Sequence, residues 1–213
     1  MHSNFALHLP NEILAIIISE LALDNEDIDI DNDNDEILLA ALASCRLASH
    51  VLCSLATPLF FSSISLTDES NDGGYGGPSL FVKRATKLND ILATHNIAAS
   101  IHSLSVSLHY RTLRGLSSGA IMSAILPRLP HIQKFSLESH GYISFRSFAK
   151  DFAAAIQALC RSPSLSTLYL DGISGFPFRT CSNLRCLCLW RSSLAVNLNI
   201  SVLSATTYSI IPV

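Results

Sequence analysis

One short pattern recurs five times along this chain: apolar-x-x-apolar-x-apolar. It occurs at Phe61/Ile64/Leu66, Ile101/Leu104/Val106, Ile132/Phe135/Leu137, Leu165/Leu168/Leu170 and Leu184/Leu187/Leu189. The last two apolar positions of each lie two residues apart, the period of a strand with one buried face. Successive starts are separated by 40, 31, 33 and 19 residues. Spacings of this order, with one short strand per unit, predict a solenoid in which each unit covers the apolar face of its neighbours. Helical patterns fill the gaps at Ser79 to Thr94, Ser118 to Leu126 and Phe148 to Leu159. Pro127, Pro130 and Pro163 mark the returns to the strands, since proline cannot continue a helix. Asp68 to Ser79, with Gly73, Gly74, Gly76 and Gly77, is expected to be a flexible excursion after the first strand. The last interval is too short for a helix, and no polar capping segment follows Trp190. The C-terminus therefore reads as truncated or altered, with an exposed edge strand.

Of the 213 residues, 49% are hydrophobic and 15% charged, enough apolar matter for a substantial core and too much for disorder throughout. No apolar run reaches the roughly 18 residues of a membrane span; Ile13 to Ala22 is interrupted by Glu20. No Lys or Arg precedes Arg46, so a basic secretory start is missing. Six cysteines without a C-x-x-C pair read as reduced thiols, which places the expected location in the cytoplasm, the nucleus or both.

The net charge of −3 is unevenly laid out. Residues 1–45 hold ten acids and no Lys or Arg, whereas residues 46–213 hold seven acids and fourteen bases. Eight of the acids fall within Asp24 to Glu36, expected to be a self-repelling surface loop. Its alternating aspartates suggest a calcium loop. Starting at Asn25, however, Ile30 occupies the position that needs a glycine; starting at Asp29, Ala40 replaces the bidentate acid.

Helical patterns flank the acidic run. Pro10 and Glu12 suit a first helical turn, and Ile13, Ile16, Ile17 and Leu21 share one face. A second helix is predicted from Asp35, burying Ile37, Leu38, Leu39 and Leu42. A third is predicted from about Cys45 to Ala56, ending near Pro58.

Leu9-Pro10-Asn11-Glu12-Ile13-Leu14, Ile17, Leu21, then Leu38 to Arg46, and the exit Ala56-Thr57-Pro58-Leu59-Phe60-Phe61, resemble the F-box of many fungal proteins. The resemblance implies helices that bind a Skp-type adaptor, itself tethered to a cullin scaffold, through Leu9, Pro10, Ile13, Leu14, Ile17, Leu42 and Cys45. Ser44 and Ala48 depart from it, standing where the family usually has an apolar residue and a tryptophan. Losing that anchor is expected to weaken the adaptor interface. The strand spacing resembles an irregular leucine-rich-repeat region of the kind often attached to F-boxes, although the Asn that usually follows the strand is missing. The expected fold is thus α+β: a three-helix F-box at 5–66, with its acidic loop at 24–36, followed by a short leucine-rich-repeat-like α/β solenoid at 79–213.

Other motifs carry weaker signals. Gly115-Leu116-Ser117-Ser118-Gly119 matches G-x-S-x-G, but a nucleophile elbow needs a strand feeding directly into it and an acid, then a histidine, downstream. Cys181, Cys186 and Cys188 lack the paired spacing of a zinc knuckle. Lys83, Arg84 and Lys87 form one small basic cluster, less than a nucleic-acid footprint requires. Asn199-Ile200-Ser201 is a glycosylation match without meaning in a cytosolic chain. No enzyme, cofactor, metal, nucleic-acid or membrane role is expected.

The expected role is substrate receptor of a cullin-type ubiquitin ligase; the rival is a repeat-domain interaction module without a ligase connection. By strand alternation Ser103, Ser105 and Ser107, with Lys134, Ser136, Glu138, Thr167, Tyr169, Asp171, Cys186, Cys188 and Trp190, should line the open face. Recognition is expected to concentrate at Tyr169, Asp171 and Trp190, tuned by Lys134 and Glu138.

Overall fold

The structure is a computed structural model, described here for residues 13–16, 33–68, 80–109, 112, 116–181, 183–192 and 207–210. The chain divides into two compact units, Met1–Ser62 and Ser63–Val213. The boundary falls before Ser63 rather than after residue 66, because Ser63–Thr67 is hydrogen-bonded into the sheet of the second unit.

In the first unit, residues 13–16 are helical, and two longer helices follow: α1 (Asp33–Ala48) and α2 (His50–Phe60). Helix α1 begins inside the acidic run, at Asp33. The break between the helices lies at Ser49, not at Cys45. Ser49 has an extended backbone, and its hydroxyl accepts the Leu52 N–H at 3.1 Å, the geometry of an N-cap. Helix α2 also runs through Pro58 instead of ending before it. An internal proline costs a helix about 3 kcal/mol. Continuing the helix packs Leu59 and Phe60 against the buried pair Leu42 and Ala56, a gain of similar size. The Arg46 guanidinium lies over the rings of Phe60 and Phe61, 4.8 and 5.1 Å from their centroids.

The second unit is a mixed α and β structure around one parallel sheet. Its strands are β1 (Ser63–Thr67), β2 (Ser103–His109), β3 (Lys134–Ser144), β4 (Thr167–Ser174), β5 (Cys186–Trp190) and β6 (Thr207–Ile210). They lie side by side in chain order, all parallel. Helix α3 (Leu80–Thr94) connects β1 to β2, α4 (Leu116–Ile125) connects β2 to β3, and α5 (Lys150–Cys160) connects β3 to β4. Between β4 and β5 a single 3-10 turn intervenes among the described residues, in keeping with the 19-residue interval.

The repeated pattern sets the register. Ile64, Leu104, Phe135, Leu168 and Leu187 form one cross-strand row; Leu66, Val106, Leu137, Leu170 and Leu189 form the next. Apart from half-buried Ile64 all are buried, most of them completely. The helices complete the core with faces spaced three and four residues apart: Phe81, Ala85 and Leu88 on α3, and Phe152, Ala155, Ile156 and Leu159 on α5. Phe145, Phe148, Phe152, Phe176 and Phe178 form a chain of ring contacts with centroids 4.8–5.7 Å apart.

Two expectations are corrected. Strand β5 is not the edge, because β6 pairs with it in parallel, Leu187 beside Tyr208 and Leu189 beside Ile210. The pattern in fact continues as Ala205/Tyr208/Ile210, with a small residue and a tyrosine in place of leucines. The open face is also not uniformly exposed, since Ser107 and Asp171 in its third row are buried.

Candidate functional site

The side of each strand facing away from the buried rows carries a second set of residues in register. One row is Ser63, Ser103, Lys134, Thr167 and Cys186; the next is Ser65, Ser105, Ser136, Tyr169 and Cys188; the third is Thr67, Ser107, Glu138, Asp171 and Trp190. The first two rows are half-buried or exposed, as on a sheet face without a covering layer. All five residues expected to bind a partner, Lys134, Glu138, Tyr169, Asp171 and Trp190, thus share one face of adjacent strands.

In the third row the face closes around a charge cluster. The Asp171 carboxylate accepts two hydrogen bonds from one guanidinium, Arg191 Nε at 2.8 Å and Nη2 at 2.5 Å, and Glu138 Oε1 lies 4.0 Å from the same Nη2. Strand alternation places Asp171 on the open face. It does lie on that face, but its side chain is only 6% exposed. The cause is Arg191, which follows β5 and reaches back to Asp171 within β4. Its backbone has φ +45°, a left-handed conformation that a side chain normally resists. Ser192 secures the same turn: its hydroxyl lies within hydrogen-bond reach of the Trp190 and Leu170 carbonyls and accepts the Ile173 N–H.

Tyr169 sits beside this cluster. Burial raises its phenol above the ordinary 10.0, and the carboxylates of Asp171 and Glu138 add to the shift. The exposed Trp190 and half-buried Tyr169 leave aromatic surface next to paired charge.

The cysteines separate into pairs. Cys186 and Cys188 lie on the open face with sulfurs 3.7 Å apart; burial, and then Cys186, push the Cys188 thiol up. Cys181 belongs with Cys160 instead: a hydrogen bond between them, followed by burial, holds the Cys160 thiol far above the ordinary thiol range, while the same hydrogen bond draws Cys181 down against the opposing effect of its burial. Among the described residues, no three His, Cys, Asp or Glu side chains converge as a metal site would require, and no helix is long and apolar enough to cross a membrane.

In the G-x-S-x-G segment, β2 ends at His109, well before Ser117, which is exposed near the start of α4. The Ser118 hydroxyl donates to the Thr112 carbonyl. A Cβ at Gly119 would fall 2.5 Å from Ala149 Cβ, so this glycine permits close packing. Lys83, Arg84 and Lys87 are exposed on α3, where Arg84 Nη1 donates to Thr67 Oγ1 at 2.8 Å.

Of the residues expected to bind an adaptor, Leu9, Pro10 and Ile17 lie outside the described residues. Ile13 is exposed and Leu14 half-buried. Leu42 is 1% exposed in the helical core, and half-buried Cys45 packs against it. No protein-family model matches the chain, and no curated protein matches it either.

Proposed function

We propose that this chain is a protein-binding subunit, and specifically the substrate receptor of a cullin-type ubiquitin ligase. In this reading the N-terminal helices are an F-box that docks a Skp-type adaptor, and the stacked strands are a leucine-rich-repeat-like solenoid that presents the substrate. The observation that carries the reading is the pair of uninterrupted cross-strand rows. Five consecutive strands place their repeat leucines on one side, leaving a continuous polar side with Tyr169 and Trp190 towards its later strands. The Leu9 to Leu14 opening supports the adaptor half of the proposal. The chain would supply proximity, with the chemistry residing in other subunits.

The test is affinity purification of the full chain with a Skp-type adaptor. Co-purification is expected, and Ile13→Asp should abolish it; because Ile13 is exposed, this change should leave the unfolding midpoint in place. Alanine at Tyr169 or Trp190 should weaken substrate capture while adaptor binding persists. Absence of adaptor above background would overturn the ligase reading. It would leave the second reading, an interaction module whose helical unit has only a structural role, which is favoured by the placement of Leu42 and Cys45 in the helical core.

A further inference from the structure

Strand β5 carries two thiols on the open face. Cys186 and Cys188 are alternate residues of one strand, and their sulfurs lie 3.7 Å apart. A strand rises about 3.3 Å per residue, so the two backbone positions stand roughly 6.6 Å apart and the side chains lean towards each other. Parallel pairing on both sides fixes that spacing: Cys186 is in register with Thr167 and Thr207, and Cys188 with Tyr169 and Ser209. The pair is therefore organised by the sheet before any ligand arrives.

Its position separates it from the other four cysteines. Cys160 and Cys181 are buried and hydrogen-bonded to one another, whereas Cys186 and Cys188 are half-buried. Cys45 and Cys53 belong to α1 and α2 in the first unit, and the Cys53 sulfur meets the Thr57 hydroxyl at 3.7 Å. At Cys188, burial and then the neighbouring Cys186 raise the thiol above its ordinary value. Two negative sulfurs here are unfavourable unless a cation accompanies them.

One ion with metal–sulfur bonds of about 2.3 Å joins two sulfurs up to roughly 4.6 Å apart. At 3.7 Å the pair falls inside that reach without main-chain movement. Among the described residues, no third His, Cys, Asp or Glu converges on it. Zinc sites take three or four protein ligands, so the pair suits instead a soft ion that two thiolates satisfy.

We infer that Cys186 and Cys188 form a bidentate site for Cu(I). Binding exchanges two S–H bonds for two Cu–S bonds and releases two protons; copper keeps its +1 state, and no electron is transferred. A disulfide between the same residues fits less well. It would draw the sulfurs to about 2.05 Å across a backbone spacing close to the ~6.8 Å limit for such a bridge. The inference holds whether or not the chain joins a ligase.

The test is an anaerobic titration of the reduced full chain with Cu(I) supplied as its complex with a chromogenic chelator. One equivalent per chain is expected to leave the chelator. The emission of Trp190, the only tryptophan and two residues beyond Cys188 on the same face, should change and level off at that point. Cys186→Ser and Cys188→Ser should each weaken retention by more than the roughly 100-fold that a lost outer contact of a metal site costs. Cys53→Ser, in the first unit, should leave it unchanged. A wild-type chain whose Trp190 emission does not respond at one equivalent would overturn the site, whatever the variants do. Retention that survives both substitutions at β5 would overturn it equally. Displacement of the bound Cu(I) by an equal concentration of Zn²⁺ would overturn the choice of ion.

Discussion

Replacing Arg191 separates two forces that the turn after β5 combines. The guanidinium holds Asp171 through two short bonds, with the carboxylate 6% and the arginine 39% exposed. At a charge separation of about 4 Å the Coulomb attraction is ~1 kcal/mol in water and ~4 kcal/mol at an effective dielectric of 20. The exposed guanidinium puts the pair between these limits, near 2 kcal/mol after screening by solvent. Removal also leaves a buried carboxylate without its partner, so Arg191→Ala should cost about 2–3 kcal/mol in all. Arg191→Gly loses the same pair but accepts φ +45° without steric cost, recovering about 1 kcal/mol. The glycine variant should therefore be the more stable of the two, although it makes fewer contacts. Urea unfolding followed by fluorescence reads this directly, because Trp190 is the only tryptophan in the chain and adjoins the substituted residue. With a slope of about 2 kcal/mol/M, the alanine midpoint should fall by about 1 M. An alanine variant within about 0.5 kcal/mol of the wild type would refute the ion-pair argument. A glycine variant no better than alanine would refute the strain argument.

Gly119→Ala should destabilise the second unit by about 1–3 kcal/mol, because the new Cβ meets Ala149 Cβ at 2.5 Å and forces the two segments apart; calorimetry would show a lower Tm. Tyr169 should titrate above 10.0 in the folded chain, and Glu138→Gln should bring it part of the way back, as followed by phenolate absorbance. Its raised value means that the folded state holds the phenol proton more tightly than the unfolded state. This stabilisation is full below pH 10 and is lost as pH rises through the folded value; a Tyr169→Phe variant with unchanged alkaline stability would contradict it.

The parts of this structure legible in the sequence are those governed by periodicity. Leu104 and Val106, or Leu168 and Leu170, announce a half-buried strand by spacing alone, and that spacing also determines which residues become cross-strand neighbours. Helix α5 was legible for the same reason, since Phe152, Ala155, Ile156 and Leu159 mark a single face. The failures came where one local signal met a longer-range force. Pro58 predicts a helix end, but the packing of Leu59 and Phe60 overrides it. Alternation assigns Asp171 to the open face and says nothing of depth, which depends on an arginine twenty residues later in a backbone conformation that no pattern announces. Strand β6 was missed because Ala205 and Tyr208 replace leucines.

The strand order follows the chain order without exception, so each strand hydrogen-bonds only to those immediately before and after it in sequence. Length is therefore an adjustable property of such a chain. Duplicating or deleting one whole unit, such as Lys134 to Ser166, would preserve the alternation of strand and helix and shift every later strand by one place. No long-distance pairing would have to be re-formed. A cut within a unit would instead strand an apolar face without its cover. Variation in this architecture should come in complete steps of about thirty residues, with the outer rows of the sheet free to diverge at each step and the leucine rows held to their positions.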